Sequence, residues 1–337
     1  MTKKSDDYLW DRSGEDPDVA RLEQLMSPLA HDAPLDELRL KRKKSSAPLF
    51  VGVAAAVAAV LALVLLWPRS NNGTSGNCIG PGMVFTSGGA VSCNGEALAT
   101  GVLPIHGQLE TGAHEAELKI ANIGTAKLGA NTIVRLDQTS IGKRHQLFLQ
   151  EGKMHAKVNA PPKIFAVATR SADVIDLGCE YTLEIDKAGA GTIHVLTGQV
   201  ELETDAAVRA VVLAPAGTHV RLLPGRRASI PLIDGASAKI TAAVVELEAG
   251  APGALVHVLA AATKADAITI SNLGRVVPEG QKRSVLETLA TLVPAPQCMT
   301  IDEVLADRDL WEMWFDEVYL VHIGASDGSN KICAPSR

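Results

Sequence analysis

The rhythm of hydrophobic and polar positions changes several times along the chain. Residues 1–47 are charged and polar apart from DPDVARLEQLMSPL, in which Val19, Leu22, Leu25, Met26 and Leu29 recur at helical spacing. Asp16 is suited to cap such a helix and Pro17 to open it, while Pro28 limits its length. A helix of about three turns is marginal alone in water, so this stripe is expected to gain its stability by docking on a partner. Tyr8, Leu9 and Trp10 form a second apolar group just upstream, with no local core to cover them, and join the same partner-binding set. From Leu49 to Trp67 nineteen successive residues carry no charged or hydroxyl group. A helix of that length spans roughly 28 Å, close to the ~30 Å hydrocarbon core of a bilayer. Residues 48–67 are therefore expected to form a transmembrane helix.

Segment 68–105, with SNNGTSGNCIGPGMVFTSGG, is rich in Gly, Ser and Asn and reads as a linker. Between 106 and 235 the pattern becomes short alternating runs. KMHAKV puts Met154, Ala156 and Val158 on one face and Lys153, His155 and Lys157 on the other, and QLFL, TIHVL, QVELE and THVRLL read alike. This predicts an all-β domain, a sandwich or a short β-roll. HGQLE, EGKMH and TGQVE place Gly107, Gly152 and Gly198 at spacings of 45 and 46, each before a strand. Residues 236–337 turn helical, with capping boxes from Ser284 to Glu287 and Thr300 to Glu303 that predict helices beginning near 285 and 301. A last helix, DLWEMWFDEVYLV, carries Leu310, Trp314, Val318 and Tyr319 at helical spacing, with Trp311 and Trp314 expected in its core. The fold class is thus multi-domain α+β by segregation: one transmembrane helix, an all-β domain and a small all-α C-terminal unit.

Charge sets an orientation for the span. Arg39, Lys41, Arg42, Lys43 and Lys44 lie upstream and only Arg69 lies close downstream, so the N-terminus is expected to be cytoplasmic. Beside an apolar helix, that basic cluster fits anionic headgroups better than nucleic acid, and a net charge of −6 also argues against a nucleic-acid partner. The 47 residues before the span and the lack of a small-x-small cleavage site speak against a cleaved signal peptide. All five cysteines, Cys78, Cys93, Cys179, Cys298 and Cys333, follow the span, as suits an oxidising compartment. The simplest pairing joins Cys78 to Cys93 and Cys298 to Cys333, although sequence alone does not fix connectivity. Ala54, Ala58 and Ala62 put a small residue at every fourth position of the span, a weak homodimer signal.

Common catalytic and nucleotide-binding motifs are absent, including the phosphate-binding Gly-x-x-x-x-Gly-Lys loop, Gly-x-Ser-x-Gly, His-Glu-x-x-His and Cys-x-x-Cys. His106, His114, His145, His155, His194 and His219 fall in the β region on what read as outward faces, at spacings that match no metal-ligand pattern. No cofactor or metal is expected. Cys179 sits in DVIDLGCEY beside strand-like apolar neighbours, where a cysteine behaves as a small inert hydrophobe rather than a nucleophile. Asp176 and Glu180 offer a weak acid–base pair without a recognisable pocket.

The ordered segments LFLQEGKMHAKV, PPKIFAVATRSADVIDLGCEYTLEI, IHVLTGQVELE and LAPAGTHVRL resemble the FecR family of membrane-anchored regulators of extracytoplasmic-function sigma factors. The likeness covers about 106 to 225. Members usually end a strand in Gly-Thr-x-Phe; here Gly178, Cys179, Glu180 and Tyr181 stand in those places, with Gly198 in the following turn, and the replacements keep size and shape. The resemblance implies that the tail binds such a sigma factor, that the domain beyond the span lies in the periplasm of an inner-membrane protein, and that it receives a signal from a periplasmic or outer-membrane protein. It implies no enzymatic activity. The helical C-terminal unit departs from the best-known members. The alternative expectation is a membrane-anchored binding or structural module of the envelope without a transcriptional role.

Overall fold

The computed structural model describes residues 78–139, 144–204, 211–296 and 299–328. The chain divides into Met1–Ser70 and Asn71–Arg337, and every described residue belongs to the second unit. The tail, the apolar span, Cys298 and Cys333 lie outside the described residues. Among the described residues no helix is long and apolar enough to cross a membrane.

The sheet is organised by β7 (His145–Val158), a strand of 14 residues. Buried positions alternate within each half, odd-numbered up to Leu149 and even-numbered from Met154, and Leu147, Leu149, Met154 and Ala156 are fully buried. Its first half pairs with β6 (Ile133–Gln138) and its second half with β5 (Gly124–Leu128), both antiparallel. Along its other edge the first half pairs in parallel with β8 (Phe165–Ala168) and the second half antiparallel with β10 (Glu180–Ile185). One strand thus serves four neighbours.

Following the pairings from β7 through β5, β4 (Ala116–Ile120), β1 (Gly82–Cys93), β3 (Gln108–Glu110) and β6 returns to β7, so six strands close a barrel. Phe85, Leu109, Leu118, Ala126, Val134 and Leu149, one from each strand, belong to the buried cluster that fills the β-domain. A barrel this small is filled by side chains and leaves no channel. β2 (Glu96–Pro104) adds to the barrel as a hairpin with β1. The segment expected as a linker over 68–105 is therefore, from Gly82 onward, two strands of the sheet. Met83, Phe85, Val91 and Cys93 are buried, but the register shifts between Thr86 and Val91, and Gly88, Gly89 and the serines around them hid the alternation.

Where β7 exchanges partners, Gly152 takes a φ of 104°. A Cβ there would stand 2.4 Å from both Cα and Oγ1 of Thr132. Thr132 uses the vacated space to bond the strand: its hydroxyl donates to the Lys153 carbonyl (3.2 Å) and accepts the Lys153 N–H (3.0 Å).

The remaining strands are β9 (Asp173–Asp176), β11 (Gly191–Thr197), β12 (Gln199–Glu203), β13 (Val211–Pro215), β14 (Thr218–Leu222) and β15 (Leu232–Ile233). They form three ribbons that each turn a corner: β9 into β10, β11 into β12 and β13 into β14. The corners are aligned, because the Leu177 N–H donates to the Gln199 carbonyl and the Ala216 N–H to the Gly198 carbonyl. Gly178, Gly198 and Gly217 occupy them with φ of 91°, 69° and 73°.

Six α-helices follow among the described residues: α1 (Ala238–Glu248), α2 (Ala254–Ala261), α3 (Ala267–Val276), α4 (Glu279–Leu292), α5 (Ile301–Ala306) and α6 (Arg308–His322). α3 is central, buried from Ala267 to Gly274. Its Asn272 amide accepts the Leu213 N–H and donates to the Leu213 carbonyl, both at 2.9 Å, joining the helices to β13. Gly274 lets the Trp311 ring lie against the α3 backbone, and the Trp314 indole donates to the Val293 carbonyl (3.2 Å). The capping box at Thr300 opens α5. The helix expected to begin near 285 begins instead at Glu279, because Pro278 sets its entry and Glu279 to Arg283 form a mostly exposed first turn without apolar periodicity.

Gly152→Ala should destabilise the domain by about 2–4 kcal/mol, through strain at positive φ and contact with Thr132. Urea denaturation followed by tryptophan fluorescence measures the loss.

Candidate functional site

The stretch DVIDLGCEY forms the first of the aligned corners. Asp176 ends β9 with its carboxylate turned inward and 1% exposed. One oxygen accepts the Gly178 N–H (2.7 Å) and the other accepts the Cys179 thiol (2.8 Å). Gly178 supplies the left-handed turn between them. Gly198 lies opposite, where a Cβ would meet the Gly178 carbonyl at 2.3 Å, so the second ribbon needs glycine to cross so closely, while Gly178 is needed for its positive φ.

Burial raises the Asp176 carboxyl above its usual range, against the lowering effect of the three hydrogen bonds it accepts. Burial, and then the Asp176 charge, push the Cys179 thiol far up. A thiol held protonated and 2% exposed is a packing group and hydrogen-bond donor rather than a nucleophile. Tyr181 is fully buried beside the corner, and its hydroxyl has no hydrogen-bond partner among the described residues. Asp176 and Glu180 do not form an acid–base pair: the first is buried in the corner, while the second stands at the surface bonded to His155 and Lys157. The four motif residues Gly178, Cys179, Tyr181 and Gly198 therefore come together as one structural joint. Its organising group is Asp176, which the sequence offered only as an acid–base candidate; an Asp two residues before Gly178 at the end of an apolar run was the signal available for such a turn.

Cys78 and Cys93 are disulfide-bonded, with Cα atoms 6.3 Å apart, tying the entry of the domain to the end of β1. Cys179 is a free cysteine. The partner-binding set Tyr8, Leu9, Trp10, Val19, Leu22, Leu25, Met26 and Leu29 lies outside the described residues.

The histidines are dispersed in two ways. His145 is buried, not outward-facing as expected, because it opens the central strand; its ring bonds the Thr139 hydroxyl (2.7 Å), and burial lowers its pKa. His155, His194 and His219 share the outer face of the sheet. Among the described residues no group of His, Cys, Asp and Glu is placed to hold a metal ion.

A cleft of about 1160 Å³ opens between the β8–β9 turn and α3 to α6. Arg275 crosses it, with 9% of its side chain exposed, stacked over the Phe315 ring at 4.7 Å and paired with both oxygens of Glu312. Arg170 and Arg226 line the opposite wall, with no carboxylate partner among the described residues. Nothing local in the sequence pointed to this cleft, since its walls come from segments more than a hundred positions apart.

The site is thus a closed barrel continued through glycine corners into a second ribbon layer, with a buried thiol tied down at the first corner. Residues 107–201 match the family model described as FecR protein, running from just before β3 into β12. The match covers the β-domain from β3 to β12 and makes that part of the chain similar to FecR domains. Two crystal structures of a candidate anti-sigma factor from Parabacteroides distasonis ATCC 8503, at 1.65 and 2.50 Å resolution, are similar at 17% identity with a TM-score of 0.32. The alignment covers 41% of this chain and 64% of theirs, so this chain spans less than two thirds of their length. No curated protein matches the chain.

Two measurements test the corner. With Cys298 and Cys333 replaced by serine, maleimide should label no thiol in the folded chain and one, Cys179, in denaturant. The second concerns Asp176, whose raised carboxyl pKa means that the folded state binds the proton more tightly than the unfolded chain. The stability linked to it is full below the unfolded pKa and is lost as pH rises through the folded value. Asp176→Asn keeps an acceptor for Gly178 and removes that loss, so its melting temperature relative to the parent should be more favourable at pH 7 than at pH 4.

Proposed function

We propose that the chain is a single-pass inner-membrane regulator whose cytoplasmic tail binds an extracytoplasmic-function sigma factor and whose periplasmic FecR domain receives the signal. The family match over 107–201 is the observation that carries this reading. Three features of the sequence support the arrangement: the apolar run from Leu49 to Trp67, the basic cluster before it, and the amphipathic stripe before that. The disulfide at the start of the described domain suits an oxidising compartment. A lone helix carries little information across a bilayer, so transmission would use a change of pairing, with Ala54, Ala58 and Ala62 at the contact, or cleavage of the chain.

The sigma-binding face is the stripe through Val19, Leu22, Leu25, Met26 and Leu29, flanked by Tyr8, Leu9 and Trp10. These residues would lay one apolar side of a short helix into a groove on the sigma factor. The role is regulatory and requires no catalytic group or cofactor. Leu22→Asp with Leu25→Asp should abolish co-purification of a sigma factor with the chain from its own cells, leaving membrane insertion unchanged. Undiminished co-purification would sink the sigma-binding reading; if deletion of residues 1–38 then also altered no transcript, the chain would be an envelope-binding module instead.

A further inference from the structure

The outer face of the sheet carries one continuous rung of polar side chains that no feature of the fold requires. Cross-strand register places Lys127 on β5 beside His155 on β7, His155 beside Thr182 on β10, Thr182 beside His194 on β11, and His194 beside His219 on β14. With neighbouring strands about 4.8 Å apart, the three imidazoles lie within about 15 Å of one another along a straight row. Their strand neighbours Ala156, Ile193, Val195 and Val220 are buried, so the alternation holds the row at the surface.

The charges around the row are nearly balanced while the imidazoles are neutral. His155 bonds Glu180 (3.0 Å) and the Thr182 hydroxyl, with Lys153 and Lys157 on its own strand and Glu184 across from Lys153. Lys157 also pairs with Glu180 (3.0 Å), and Lys127 approaches Glu117 on β4, which also presents Lys119. His194 and His219 share one carboxylate, Asp234, at 2.8 and 3.6 Å. On β14 the remaining cation, Arg221, is taken by Glu248 of α1, and the nearby His322 of α6 is held by the Ala216 carbonyl. Five fixed cations thus meet five carboxylates. Histidine side chains generally take up charge between pH 8 and 5, where carboxylates stay ionised. Glu180 in particular is held below its usual range, chiefly by its hydrogen bond to Lys157. Protonation therefore gives this face a surplus of three positive charges in one row, two of them facing a single carboxylate.

We propose that this outer face, centred on His155, His194 and His219, docks an acidic segment of a partner protein and holds it more tightly as the pH falls through the histidine range. Charge complementarity identifies the occupant. Glu117, Glu180, Glu184 and Asp234 stand among the cations and confine an acidic segment to the line of the three histidines, a linear register that a fluid lipid surface does not need. The rung carries no large apolar side chain to anchor in a bilayer. The inference rests on reading this domain as the receiving part of a regulator. Its test needs no sigma factor, so the two fail separately.

The experiment titrates a fluorescent 16-residue polyaspartate against the full-length chain in zwitterionic detergent at pH 7.5 and 5.5. Binding should be about tenfold tighter at pH 5.5, the combined effect of three exposed ion pairs. The variant His155→Gln, His194→Gln, His219→Gln should keep its melting temperature and lose the pH dependence. A second variant, Lys127→Thr with Lys157→Thr, changes only exposed side chains and should weaken binding at both pH values. Retained pH dependence in the triple variant would overturn the proposal. So would histidine-dependent binding to phosphatidylglycerol vesicles without binding to polyaspartate, which would assign the face to a membrane.

Discussion

The structure depends on one strand being able to change neighbours halfway along its length. β7 satisfies its backbone groups with β6 and β8 before Gly152 and with β5 and β10 after it. A regular strand cannot do this without a local twist, and the twist needs a residue with positive φ and no side chain. Thr132 fills the space left and restores hydrogen bonds that the exchange disrupts. Because both the closed barrel and the second ribbon layer grow from this strand, their relative orientation is set at a single peptide unit.

The glycine corners solve a related problem on the far side. Three ribbons must bend together, and their backbones come too close for Cβ atoms at Gly198. Asp176 pins the first of these bends from inside, at the cost of a carboxylate drawn away from water. The buried Tyr181 hydroxyl adds a second polar group in the same place. Few residue combinations satisfy a tight turn and a dry interior together, and here the carboxylate, the thiol and the two glycines do so jointly.

Much of this was legible in the chain because alternation is a local property. KMHAKV and THVRLL declared their inward and outward faces, and Gly178 with its neighbours carried the family likeness that the domain match over 107–201 supports. What could not be read was pairing. Nothing within β7 announces that its two halves have different partners, and the rung of histidines exists only once five strands are in register. β1 was hidden because glycines and a register shift interrupt its period, and the start of α4 because its first turn is wet on all sides. The cleft escaped for the same reason as the rung, its walls being assembled by tertiary contact alone.

The bond between Asn272 and Leu213 bears on how the sheet ends at β13. β13 is the last strand in its branch of the sheet, so without the helices its outward backbone groups would be open to another strand. The Asn272 amide offers Leu213 the same donor and acceptor that a further strand would, and Pro215 withholds an N–H two residues on. The helical unit thus acts as a terminator for sheet growth. A chain cut before α3 would expose an apolar ribbon edge ready to polymerise, which makes the helices guardians of solubility whatever else they bind.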